Sequence, residues 1–98
     1  MFGLPDHTVT LIKNYFVQQT EVIEARVYGS RAMGRQKHGS DIDLAIFTIV
    51  GEDISGRIKS GLEDLPTPYM FDVTDYAHIA NNALKKHIDS VGKTLFLR

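Results

Sequence analysis

The stretch Gly29-Ser30-Arg31-Ala32-Met33-Gly34-Arg35-Gln36-Lys37-His38-Gly39-Ser40-Asp41-Ile42-Asp43-Leu44 constrains the fold of this chain more than any other. The strand-like segment Glu24–Tyr28 runs into it, and a second, Asp41–Thr48, runs out of it. A turn rich in glycine and charge, Gly29–Gly39, joins the two. Residues two apart on a strand share a face, with Cα atoms about 6.6 Å apart. Asp41 and Asp43 therefore point one way, while Ile42 and Leu44 point into a core and fix the rotation of the strand.

Two carboxylates on one face suit hard divalent ions held about 3.5–4 Å apart, the spacing used in phosphoryl and nucleotidyl transfer. Mg²⁺ takes a few carboxylates and completes its shell with water and substrate phosphates, which a small domain can accommodate. At the other end of the turn, Gly29 lets the backbone bend sharply and approach a phosphate, and the Ser30 hydroxyl and nearby amides can donate to phosphate oxygens. A helical turn over Arg31–Gly34 would add partial positive charge there. Arg31, Arg35, Lys37 and protonated His38 make the loop cationic within a chain of 11 Lys+Arg and 12 Asp+Glu. Arg31 and Lys37 are the foremost phosphate contacts, although loop cations commonly serve only as solubilising charges. Taken singly, Gly29-Ser30 is a turn and the two aspartates are solvated charges at a strand end. Their joint order, strand, Gly-Ser, loop, acidic strand, is what points to chemistry.

A third carboxylate is expected from a neighbouring strand. Asp72 interrupts the apolar, strand-like Tyr69–Val73, where an ionised group needs water, a cation or a metal. There it could ligate an ion and accept the proton of an attacking hydroxyl. Asp75, three residues on, is the reserve candidate and reads more readily as a helix cap. The four histidines show no metal-ligand spacing; His38, His78 and His87 read as solvated or helix-face residues, and the aromatics as core.

Around the motif the chain alternates helix and strand patterns. Asp6 is placed to cap a helix whose Val9, Ile12 and Phe16 recur at helical spacing, ending near Gln19. Glu52–Leu65 reads as a helix on Ile54, Ile58, Leu62 and Leu65, weakened by Gly56 and Gly61 at about 1 kcal/mol each. Pro66 and Pro68 end it, and Tyr69–Val73 is a third strand. Thr74 or Asp75 could cap a short turn, Asn81–Asp89 is helical with Gly92 at its stop, and Thr94–Leu97 is a last strand. The fold class is α/β (α+β): a small mixed sheet of about four strands with helices packed on it. At 98 residues one domain, 1–98, accounts for the chain. A net charge of −1 argues against a broad nucleic-acid or membrane surface, so nucleic acid is not an expected partner. With no cysteine, disulfides and thiol nucleophiles are excluded. No run is long enough to span a membrane and no secretory signal is evident, so the expected setting is the cytoplasm.

Gly29-Ser30, ten residues, then Asp41-Ile42-Asp43 within Ser40–Leu44 resembles the nucleotidyltransferase superfamily, and in its spacing the minimal nucleotidyltransferase (MNT) family. The motif covers about a sixth of the chain, and the element order extends the likeness over most of it. The resemblance implies a Mg²⁺-dependent transferase, two ions being expected, that moves AMP from ATP onto a tyrosine hydroxyl of a HEPN-domain toxin and so acts as its antitoxin. Gly29, Ser30, Arg31, Lys37 and Ser40 would hold the nucleotide. Asp41, Asp43 and Asp72 would bind metal and carry catalysis. Neutralising a partner by contact alone, or a small-molecule or RNA-end acceptor, are the alternatives, and self-association is left open.

Overall fold

In the computed structural model of residues 1–98, helix α1 covers Asp6–Val17, with Pro5 rather than Asp6 at the N-cap. The Asp6 side chain makes no capping bond; one residue into the helix, its charge instead complements the positive end of the dipole. Thr8, Val9, Ile12 and Phe16 form its buried stripe, as the helical spacing predicts. Strand β1 (Val22–Tyr28) leads directly into a four-residue helix, α2 (Gly29–Ala32), so the helical turn starts at Gly29 and not at Arg31. Strand β2 covers Ile42–Thr48.

Helix α3 (Ser55–Glu63) begins three residues later than its apolar spacing suggests. Asp53 Oδ1 accepts the Ser55 N–H at 2.9 Å, which holds the preceding backbone in a local turn that competes with helix. Its end falls before Leu65, because the residue ahead of Pro66 is disfavoured in helical geometry. Gly61 has a packing reason to be there: a Cβ at this position would overlap the Tyr15 ring, so the glycine lets α1 and α3 approach closely. Strand β3 is Phe71–Asp75, two residues later than expected, and the buried Asp75 caps a 3₁₀ turn (Tyr76–His78) through Ala77 N–H at 3.2 Å. Helix α4 (Asn82–Val91) is capped by Asn81, and strand β4 (Lys93–Leu97) closes the chain.

The sheet order is β3-β2-β1-β4. β1 runs antiparallel to β2 and β4, and β2 runs parallel to β3, with α3 as the crossover that a parallel pair requires. The main core lies on one face, where Val27, Ile42, Leu44 and Phe71 meet Ile12, Phe16, Ile58 and Leu62. The other face carries a smaller cluster of Tyr28, Ala45 and Ile88, the last from α4, bordered by Phe47, Tyr76, Leu84 and Val91. This is the expected mixed four-stranded sheet with helices packed on it. The apolar Leu95-Phe96 completes the sheet edge, Phe96 stacking on Phe16 at 5.6 Å between ring centroids.

Candidate active site

Register decides what the strands present. β1 and β2 pair Tyr28 with Asp43, and β2 and β3 pair Asp43 with Asp72. Paired residues on adjacent strands share a face. Tyr28, Asp43 and Asp72 therefore form one row across three strands, on the face covered by α4. Asp41 precedes β2 by one residue and stands two before Asp43, with its side chain exposed. Asp75 lies three residues beyond Asp72 and on the opposite face of the sheet, 1% exposed. That parity separates the two candidates for the third carboxylate.

The electrostatics follow from this crowding. The Asp43 carboxyl holds its proton above the usual aspartate range, first because it is partly desolvated and then because Asp72 and Asp41 repel its charge. The Arg31 guanidinium pulls in the opposite direction, as the His87 imidazole does only when it is protonated. Burial likewise raises the Tyr28 phenol; the hydroxyl's contact with Thr74 Oγ1 at 3.3 Å opposes this, and the charges of Asp72 and Asp43 add to it. No three His, Asp or Glu side chains stand close enough to hold a metal by themselves. An all-oxygen, like-charged set of this kind nevertheless fits Mg²⁺, whose remaining positions are ordinarily filled by water and substrate phosphate.

The Gly-Ser turn is built against this row. Gly29 has φ +69°, a left-handed conformation that suits glycine, and a Cβ there would collide with Asp43 Oδ2. Its N–H donates to His87 Nε2 at 3.1 Å, so this amide, expected to face phosphate, is already taken. Ser30, half-buried, is the next residue of the same turn.

Two residues expected at the nucleotide, Arg31 and Ser40, are engaged in bonds within the protein. Arg31 is 4% exposed. Its guanidinium donates to the Ser40 carbonyl from Nε at 3.2 Å and Nη2 at 2.7 Å, and to the Phe2 carbonyl from Nη1 at 3.0 Å. The Tyr69 ring lies 5.2 Å away. A planar fork of donors bonds the Ser40 carbonyl at the far end of the loop and the Phe2 carbonyl of the N-terminal segment, and so ties the two ends of the loop to each other and to that segment. Ser40 Oγ accepts the Lys37 N–H at 2.8 Å, a further tie within the loop. The Lys37 side chain remains exposed and lines, with His38 and Arg31, a cavity of about 450 Å³ beside Tyr69.

Sequence reasoning missed two residues. Tyr28 reads as one more core aromatic, yet it floors the carboxylate row. His87 reads as a solvated or helix-face residue; it is on a helix face, and Leu84, Ile88 and Val91 show that this is the inner face of α4, from which it reaches Gly29.

The family model described as Polymerase beta, Nucleotidyltransferase matches residues 11–98. Among solved structures, a chain of a toxin–antitoxin complex with AMP-PNP is 19% identical, with a TM-score of 0.65 over 97% of this chain and 75% of that one. A chain of the toxin–antitoxin MntA–HepT is 17% identical, with a TM-score of 0.63 over 96% and 74%. The complex of a tri-AMPylated Shewanella oneidensis HEPN toxin with an MNT antitoxin contains a chain 18% identical, with a TM-score of 0.56 over 92% and 73%. No curated protein sequence matches. The folds agree over nearly the whole chain, and the family match spans both the Gly-Ser turn and the acidic strands: this protein belongs to the Polymerase beta nucleotidyltransferase family.

Proposed function

We propose that this protein is a single-domain, Mg²⁺-dependent nucleotidyltransferase of the cytoplasm that moves AMP from ATP to a hydroxyl, and that its acceptor is a tyrosine of a HEPN-type toxin it neutralises. The observation that supports this reading best is the row formed by Asp43 and Asp72, with Asp41 at its edge, abutting the Gly29-Ser30 turn. The protein acceptor is supported by structural relatives that occur with toxins, one of them AMPylated.

In this reading Ser30 donates its hydroxyl to the triphosphate, Gly29 lets the triphosphate approach Asp43, and Lys37 offsets charge on the departing pyrophosphate. Arg31 and Ser40 serve by holding the loop in shape. Asp41, Asp43 and Asp72 would hold two Mg²⁺, which when bound would offset charge on the attacking and leaving oxygens. The acceptor oxygen bonds to the α-phosphorus as the bond to pyrophosphate breaks, and Asp72, the outermost carboxylate, takes the hydroxyl proton. Rate comes chiefly from positioning, for which three paired strands are a rigid enough base.

The test is transfer of label from α-labelled ATP, with Mg²⁺, to a co-purified HEPN partner. Tyrosine-linked AMP is expected, and Asp41→Asn/Asp43→Asn should lower it by on the order of a hundredfold or more with the fold retained. Undiminished labelling by that double variant would overturn the assignment. A tight complex without label would move the function to binding alone.

A further inference from the structure

Helix α4 contributes no carboxylate to the Asp43–Asp72 row and no phosphate-loop residue, yet one of its side chains reaches the Gly-Ser turn. We propose that His87 is the positioning residue of that turn: its neutral imidazole accepts the Gly29 amide and thereby sets the backbone that faces nucleotide. This rests on the nucleotidyltransferase reading above and adds to it a residue on a third element.

The contact is specific in chemistry. Gly29 opens α2, and the first amides of a helix have no acceptor within the helix. Here the acceptor is His87 Nε2, 3.1 Å away. An imidazole nitrogen accepts only through its lone pair, so this bond requires an unprotonated Nε2. The ring is held edge-on to Tyr28, 81° between planes and 6.0 Å between centroids. Tyr28 itself is 7% exposed and in contact with Thr74 on β3. His87 is therefore anchored to the sheet rather than free to follow the loop.

The consequence for the site comes from the other side of the same residue. Gly29 has no room for even one carbon toward Asp43. Its amide is held by His87 on one side, and on the other the Asp43 carboxylate occupies the space a side chain would need, at a φ of +69°. Release of the amide lets this peptide rotate, which moves Ser30 and the space in front of Asp43 together. With the bond made, the turn is set before ATP arrives, and binding does not have to order it.

Replacing His87 by Ala removes the acceptor and should weaken MgATP binding, and raise the KM for ATP, roughly tenfold with little change in kcat. His87→Gln, whose side-chain oxygen can accept, should restore most of the affinity. The bond itself is read in the unaltered protein by nuclear magnetic resonance, as a scalar coupling from the Gly29 amide nitrogen to the His87 Nε2 nitrogen. Calorimetric titration with MgATP and thermal melting of all three proteins separate binding from folding. Absence of the coupling overturns the proposal, as does unchanged affinity in the alanine variant. Equal loss in the Ala and Gln variants assigns His87 to packing and overturns it too. If the unaltered protein shows the coupling but binds no MgATP, the nucleotide reading falls, and the positioning role with it.

Discussion

Asp43 concentrates the conflict between stability and chemistry in one side chain. Its carboxyl titrates above the usual aspartate range because burial and the charges of Asp72 and Asp41 disfavour ionisation. The folded state thus binds this proton more tightly than the unfolded chain does. The group supports the fold below the ordinary aspartate range and withdraws that support as pH rises through its raised value, so at neutral pH it opposes folding. Solvent screens part of the effect, since the side chain is only half-buried. Asp43→Asn should consequently raise the melting temperature at pH 7 by roughly 2–4 °C while losing transfer. Differential scanning calorimetry from pH 4 to pH 8 checks the sign: the gain must shrink on acidification. Mg²⁺ should raise the melting temperature of the unaltered protein and leave Asp41→Asn/Asp43→Asn unmoved, because the carboxylates then lack the charge to gain from it.

At the scale of elements, α4 is the piece whose local signals and tertiary role come together. Asn81 Oδ1 accepts from the Ala83 and Leu84 amides at 2.9 and 3.2 Å, so the residue expected to open the helix instead caps it. Removing the cap in Asn81→Ala should lower unfolding free energy by about 1 kcal/mol in urea denaturation, with Asn81→Ser recovering most of that. The existence and type of every expected helix and strand were readable from period and punctuation. Their limits were not, where side chains intervene: Asp53 delays α3, and β3 begins at Phe71 because its ladder starts where Ile42 N–H meets the Met70 carbonyl at 3.0 Å. The helical turn expected at Arg31–Gly34 lies two residues earlier, as α2, because four residues of helix leave no periodicity to fix a start.

For the whole molecule, the sheet is tied to its helices at both ends. Arg98 donates to the carbonyls of Phe16, Val17, Gln19 and Val22, at 2.7–3.4 Å, satisfying the C-terminal end of α1 and the start of β1 with one guanidinium. Arg98→Ala should cost about 1–2 kcal/mol of stability and expose the end of α1 to faster hydrogen exchange, with no effect on MgATP affinity, since it lies at the far end of β1 from Gly29. None of the helices is long and apolar enough to cross a membrane.

What the sequence determined by itself is local. The twofold repeat of a strand puts Asp41 and Asp43 on one face, and a glycine before serine marks a sharp turn, whatever the rest of the chain does. Three matters were left to the tertiary structure. Asp72 rather than Asp75 joins the row, because the parallel register of β2 and β3, set by a crossover helix, decides which parity faces α4. Arg31 turns inward, because the fold brings the Ser40 carbonyl and the remote Phe2 carbonyl within reach of its guanidinium. His87 reaches Gly29 across a separation of 58 residues. A carboxylate, a guanidinium or an imidazole carries the same chemistry wherever it stands, but its partner is chosen by packing between segments remote in the chain, and no local period encodes that choice.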